Sequence, residues 1–196
     1  MKKLVLASTS PRRKEILELT GYDFDVVSPA CDEKADSLDP AEYVSQLSYQ
    51  KSMAGLSCLK EAGLSEDVYI IGSDTIVAAD YGILGKPKDE EAAFSMLHSL
   101  AGKMHSVYTG VTIISSKSFY SETFYEKTDV YFYDVDDDEI WAYIKTKEPM
   151  DKAGAYGIQG KGSFLVRKID GDYFNVVGLP VSHLVRVLRK FDKLDL

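Results

Sequence analysis

A short apolar strand runs straight into a helix whose first turn is overloaded with positive charge, and this feature most limits what the chain can fold into. Leu4-Val-Leu-Ala7 is followed by Ser8-Thr-Ser10-Pro11-Arg12-Arg13-Lys14. Ser10 is a favourable N-cap and Pro11 a favourable first helical residue, so a helix is predicted to start there with its unsatisfied N–H groups and positive dipole end at the turn. Arg12, Arg13 and Lys14 are electrostatically misplaced at that end unless an anion joins them, and three hydroxyls stand ready to bond it. Together these features point to a phosphate. A solvated basic first turn and a nuclear-import-like patch are plainer alternatives, each accounting for part of the pattern. A Walker loop is excluded, because there is no G-x-x-x-x-G-K-[ST] and no glycine before Gly21.

The chain has 196 residues, enough for one domain or two small lobes sharing a sheet. Its 31 acidic and 23 basic residues leave a net charge of −8, so the surface as a whole repels nucleic acid and anionic membrane. A polyanionic ligand therefore requires a local basic pocket, supplemented by a divalent cation shared between carboxylates and the ligand's phosphates. Cys31 and Cys58 lack metal-ligand spacing, which argues for a reducing compartment and against structural zinc. The apolar run Leu4–Ala7 is too short for a signal-peptide core, and no stretch approaches a membrane span. A cytoplasmic location is expected.

Gly21 stops the first helix and Phe24–Val27 forms a strand, an opening β-α-β unit that indicates an α/β fold. Asp39 caps a second helix, with Pro40 in its first position and Glu42 placed for a capping box. Along it Val44, Leu47, Lys51, Ala54 and Cys58 follow a three-four repeat, so a lysine interrupts the inward stripe. Its stem either snorkels to solvent or carries its ammonium to an anion in a cleft. Val68–Ala79 is apolar on both sides of Gly72-Ser-Asp74-Thr75, which suggests a central strand with a functional kink. Asp74 amid Ile70, Ile71, Ile76 and Val77 is expensive to bury alone, so it is paired, binds metal or does chemistry, unless it is a structural hydrogen-bonding aspartate.

Further on, Asp80-Tyr-Gly82 turns a hairpin, and Asp89 opens a helix to Leu100 with Ala93, Phe94, Leu97 and Leu100 inward. Val107–Ser115 and Phe119–Val135 form a long antiparallel hairpin, making the sheet mixed. Asp136–Thr146 is a short helix whose acids suit its positive end. The stretch Glu148–Gly162 holds four glycines in nine residues and is a close-approach loop, with Tyr156 the one tyrosine placed near a substrate. Phe164–Ile169 and Tyr173–Val177 are expected to make a last hairpin before the helix opened by Pro180. His98, His105 and His183 are core or surface residues, not ligands.

Over nearly its whole length the chain resembles the Maf family of nucleoside triphosphate pyrophosphatases. The likeness rests on Ala7-Ser8-x-Ser10-Pro11-Arg12-Arg13, Gly72-Ser-Asp74-Thr75, Gly85-Lys86-Pro87, Tyr108-Thr-Gly-Val111, Glu148-Pro-x-Asp151-Lys-Ala-Gly-Ala-Tyr156-Gly-Ile-Gln159-Gly and Asn175-Val-Val-Gly-Leu-Pro180, in that order. The resemblance implies one domain, residues 1–196, with a two-lobed α/β fold like that of the inosine triphosphate pyrophosphatases: a mixed central sheet flanked by helices, with an inter-lobe cleft. It implies hydrolysis of a nucleoside triphosphate to the monophosphate and pyrophosphate with Mg²⁺ or Mn²⁺. By position, Asp74 is then the proton acceptor, Ser8, Ser10, Arg13, Lys51 and Lys86 hold phosphates, and Glu33 and Asp74 lie at the metal.

Arg12, Thr75 and Gln159 mark the family's pyrimidine branch, which acts on dTTP and UTP. A glutamine amide matches the O4 acceptor and N3–H donor of uracil or thymine and is mismatched to cytosine. The substrate is thus a small nucleotide, standard or modified, removed from cellular pools; no nucleic-acid or membrane partner is expected, and a homodimer stays open. A nucleotide-binding regulator without turnover and a nucleotidyltransferase are the rival classes. Intact Asp74 and Lys51 count against the first, and the missing glycines before Arg12 count against the second.

Overall fold

The opening strand and helix form where the hydrophobic run and the Ser-Pro step put them. In the computed structural model, which describes residues 2–32, 34–80 and 82–194, β1 is Lys3–Ala7 and α1 Pro11–Glu18. There follow β2 (Phe24–Val27), α2 (Pro40–Glu61), β3 (Val68–Ala79), β4 (Gly82–Leu84), α3 (Glu90–Leu100), β5 (Met104–Ser115) and β6 (Ser121–Phe132). The chain continues through α4 (Asp137–Ile144), three short 3-10 turns between Glu148 and Leu165, β7 (Val166–Asp170), α5 (Tyr173–Val177) and α6 (Val181–Leu194). Seven strands make one sheet in the order β2-β1-β3-β5-β6-β7, with β4 on β3. The sheet is mixed, as expected: β1 pairs parallel with β2 and β3, while β4 and β7 pair antiparallel with β3 and β6.

The chain divides into two compact units, Met1–Asp74, Thr109–Glu126 and Gly178–Leu196 forming the first, Thr75–Tyr108 and Lys127–Val177 the second. In the first unit, Val5, Ala7, Leu56, Val68, Ile70 and Ile114 make a core, and Phe191 of α6 meets Tyr69 edge-on at 5.2 Å. In the second, Val77, Leu97, Val107, Phe132, Ile140 and Tyr156 belong to a larger core, and Phe94 stacks on Trp141 at 4.9 Å.

Four expectations change. First, β3 is uninterrupted through Gly72-Ser-Asp-Thr, with no kink. Gly72 serves close packing instead, because a Cβ there would lie 2.4 Å from the Ser48 carbonyl oxygen of α2. Second, the buried face of α2 is Val44, Leu47, Ser48, Ser52, Gly55 and Leu56, whereas Cys58 is exposed. Small residues go inward because the helix backbone nearly touches the sheet: a Cβ on Gly110 of β5 would lie 2.3 Å from the Val44 carbonyl oxygen. Third, Tyr173–Val177 is a helix, not a strand, so the last hairpin does not form. Asp172 accepts from the Phe174 N–H at 2.8 Å, and buried Asn175 donates to Thr128 Oγ1 and the Val107 carbonyl, which holds the turn of helix against β5 and β6. Fourth, Glu42 does not close the capping box on Asp39; it accepts from Ser37 Oγ, which in turn accepts from the Asp39 N–H.

His105 is fully buried, as the reading of it as a core residue requires. Its Nε2 lies 2.9 Å from Tyr156 Oη, and its ring meets Phe132 edge-on at 4.8 Å. Burial pushes the imidazole down to about 4, and the opposing charge of Asp129 does not offset this. The unfolded chain, titrating near ~6.5, binds more protons than the folded one between those two values. Stability is therefore full above about pH 6.5, falls by up to about 3 kcal/mol as pH drops towards the folded value, and levels off below it. Denaturant titrations across this window are expected to show that loss, with the His105→Gln variant lacking it.

Candidate active site

Alternation along β3 puts Gly72 and Asp74 on one face of the strand. Ser48 and Ser52 of α2 close on Gly72, Lys51 stands between them on the same turn, and its Nζ lies 2.5 Å from Asp74 Oδ1. The two side chains are 15% and 11% exposed. Charges so withdrawn from water require partners, and here each is the other's. Of the two outcomes open to Lys51, snorkelling or meeting an anion, the second holds, and the anion is Asp74.

The turn after β1 is built around Ser8, which is buried. Its N–H donates to the Val27 carbonyl at 3.1 Å, and its Oγ accepts from the Ser10 N–H at 3.2 Å and from Arg13 Nη1 at 3.5 Å. Arg13 Nε donates to the Gly178 carbonyl at 2.9 Å, and Ser73 Oγ donates to the same oxygen at 3.3 Å. Ser10 occupies the N-cap with extended backbone but makes no side-chain cap bond, and the first turn holds no acid. The helix end therefore keeps donors and positive charge together, the combination that suits a phosphate. Arg12 is half-buried on the same turn. The Gly178 carbonyl and Ser73 are the members that local reading of the chain did not single out; their only signal was that they lie in the blocks Asn175–Pro180 and Gly72–Thr75, which resemble those of the family.

Of the other predicted residues, Thr75, Lys86 and Gln159 lie in the second unit. Thr75 is half-buried on β3, and Lys86 is exposed after β4. Gln159 is half-buried between two 3-10 turns, Ala153–Ala155 and Gly160–Leu165. The Gly154 N–H donates to the Gly85 carbonyl at 3.0 Å, so the glycine-rich stretch is tied to the residue preceding Lys86. Tyr156 is corrected: its ring is packed in the core and its hydroxyl faces His105, so it is not placed for a substrate. A cavity of about 300 Å³ in this unit is lined by Glu139, Ala142, Tyr143, Thr146, Lys161 and Phe164, none of them a predicted site residue.

Glu33 lies outside the described residues. Among those described there is no group of three or more His, Cys, Asp and Glu side chains able to hold a metal. Asp74 offers one shielded carboxylate, which fits a hard cation of the Mg²⁺ type that takes one or two carboxylates and completes its shell with substrate phosphates and water. No described helix is long and apolar enough to cross a membrane.

The family model described as Maf-like protein matches residues 3–191. A dTTP/UTP pyrophosphatase of Thermoanaerobacter sp. (strain X514) is 48% identical over 97% of this chain and 97% of its own length. One of Bacillus cytotoxicus is 50% identical over 98% and 97%, and one of Bacillus cereus (strain ATCC 10987) 49% identical over 98% and 91%.

The shielding of Lys51 and Asp74 has a measurable consequence for stability. Lys51→Met strands a carboxylate and is expected to destabilise the fold, and adding Asp74→Asn is expected to restore part of the loss. A double-mutant cycle read by urea denaturation is expected to give a coupling of about 1–3 kcal/mol.

Proposed function

We propose that this chain, which belongs to the Maf family, hydrolyses dTTP and UTP between the α and β phosphates to give the monophosphate and pyrophosphate. The single observation that carries a hydrolytic reading of its own residues is the Lys51–Asp74 contact: a shielded carboxylate held by a cation that a phosphate can recruit. Ser8, Ser10 and Arg13 receive phosphate oxygens at the start of α1, where hydroxyl, guanidinium and helix N–H groups converge. Lys51 exchanges its carboxylate partner for a phosphate oxygen as the triphosphate arrives, which releases Asp74. Asp74 then accepts a proton from a water whose oxygen bonds to the α-phosphorus, while the α–β bridging bond breaks and pyrophosphate leaves with the electron pair. Lys51, Lys86 and Arg13 stabilise the charge that gathers on the non-bridging and leaving oxygens.

Asp74 and Glu33, with the substrate's phosphates, would hold a divalent cation, Mg²⁺ or Mn²⁺, which when bound would supply charge neutralisation and a more acidic water. Base choice falls to Gln159, whose amide donates to O4 and accepts from N3–H of uracil or thymine, with Arg12 and Thr75 as accessory specificity residues.

With Mg²⁺ and dTTP, chromatography is expected to show thymidine monophosphate and pyrophosphate; intact dTTP overturns the enzymatic reading in favour of a binding protein. Asp74→Asn is expected to lower kcat at least about a hundredfold with nucleotide binding, read by calorimetry, largely kept; an active variant removes Asp74 from the proton-accepting role. Gln159→Glu is expected to lose activity on dTTP and UTP selectively, read as the ratio of their kcat/KM to that of CTP. An unchanged ratio withdraws the base-reading role.

A further inference from the structure

The glycine-rich stretch of the second unit wraps a polar pair, buried Tyr143 and half-buried Glu148. Tyr143 of α4 is buried, and its hydroxyl donates to Glu148 Oε1 at 3.0 Å while accepting from the Gly157 N–H at 3.1 Å. Glu148 Oε1 also accepts from the Gly162 N–H at 3.1 Å, and its Oε2 from the Lys161 N–H at 3.0 Å. Lys152 Nζ donates to the Glu148 carbonyl at 2.6 Å, closing the upstream side. Residues 157, 161 and 162 are thereby fixed to one hydroxyl and one carboxylate, and Gln159 stands between them with its own amide outside the network.

The glycines are what this wrapping demands. A Cβ on Gly162 would lie 2.5 Å from the Tyr143 hydroxyl, and one on Gly160 3.0 Å from Glu148 Oε2 at a φ of +76° that disfavours any side chain. The close approach expected of this loop is therefore an approach to its own anchor. Burial alone would raise the Glu148 carboxyl, but the Lys161 and Gly162 N–H groups and the Tyr143 hydroxyl outweigh it and hold the carboxyl below its ordinary value. The group is then an anion across the neutral range, the state that two backbone donors and a hydroxyl require.

We propose that Tyr143 and Glu148 are positioning residues for pyrimidine recognition: by pinning both flanks of Gln159 they hold its amide at the one orientation that reads the base edge. This rests on the reading of Gln159 as the base-reading residue. An amide carried on a loose loop presents its donor and acceptor in many directions, and the discrimination between uracil and cytosine averages away. Tyr143→Phe removes one oxygen, keeps the ring in the core, and leaves the Gly157 N–H without its acceptor.

The test uses the full chain. Steady-state constants for UTP, dTTP and CTP are measured for the unaltered protein, Tyr143→Phe, Glu148→Gln and Gln159→Ala, alongside amide exchange of residues 157–162. Tyr143→Phe is expected to accelerate exchange at Gly157, Lys161 and Gly162, raise KM for UTP and dTTP about tenfold, narrow the preference over CTP by a similar factor, and change kcat little. Glu148→Gln retains an acceptor oxygen and is expected to fall between, which keeps the test intact if Tyr143→Phe does not fold. If the UTP preference survives in the variants of the pair while Gln159→Ala abolishes it, the positioning role is overturned and the reading of Gln159 stands. If Gln159→Ala itself leaves the preference unchanged, the base-reading role fails and the positioning role fails with it. A general loss of kcat on all three nucleotides from the pair's variants marks them as merely structural and also overturns the proposal.

Discussion

In the first unit everything depends on how near α2 comes to the strands beneath it. Gly55 on the helix, Gly72 on β3 and Gly110 on β5 mark places where backbone meets backbone or Cβ, with hypothetical Cβ atoms 2.7 Å from Ala7 Cβ, 2.4 Å from the Ser48 carbonyl oxygen and 2.3 Å from the Val44 carbonyl oxygen. Contacts of this kind cannot be adjusted by rotating a side chain, so they fix the helix as a rigid piece. Lys51 is carried on that piece, and its reach to Asp74 is set by the spacing. Stability and candidate chemistry thus share a cause: a methyl group added at Gly72 or Gly110 pushes on α2 and on the ion pair alike.

The same closeness explains the composition of the contact. A helix at ordinary distance from a sheet buries mainly Leu, Ile and Val, but where this one touches the strands there is room only for Gly and Ser, and Val44, Leu47 and Leu56 are buried beside those points. Serine hydroxyls placed there are satisfied across the gap: Ser48 Oγ meets Thr112 Oγ1 at 2.9 Å, and Ser52 Oγ donates to the Thr112 carbonyl at 2.8 Å. A three-four count of apolar residues therefore chose a stripe ending at Cys58, which is exposed, and passed over Ser48 and Ser52, which are fully buried. It still placed Lys51 within the inward stripe, because the helical period is unaffected by which side chains are small.

That contrast shows where the chain was legible. β1, α1, β2, the Asp39 cap, α3 and α4 were all readable from local rules, since each depends on neighbours within a few residues. Lys51 and Asp74 were readable as misplaced charges, and the structure pairs them. Tyr173–Val177 was not legible, because a β-branched and aromatic pentapeptide is held helical by buried Asn175 bonding to Thr128 and Val107, far away in sequence. Tyr156 was misplaced for a related reason: its partner, His105, is also remote in sequence. The glycine cluster was rightly seen as a close-approach segment, but only the folded chain reveals that Tyr143 and Glu148 are what it approaches.

The two units consequently hold their polar groups by different means. In the first, Asp74 and Lys51 stand on a strand and a helix locked by backbone contact, a rigidity that would suit the catalytic role proposed for them. In the second, Gln159 stands on irregular backbone whose flanking residues are held by hydrogen bonds to one hydroxyl and one carboxylate, so the recognition proposed there would be only as firm as those bonds. A lysine clasped to the carboxylate before substrate arrives adds a selective step. Only a ligand with enough negative charge to draw Lys51 away compensates the loss of the pair, since separating two shielded charges leaves each of them costly. A nucleoside or base lacks that charge, whereas a triphosphate carries it, so in the proposed reaction the ion pair would favour the polyphosphate and base choice would fall to Gln159.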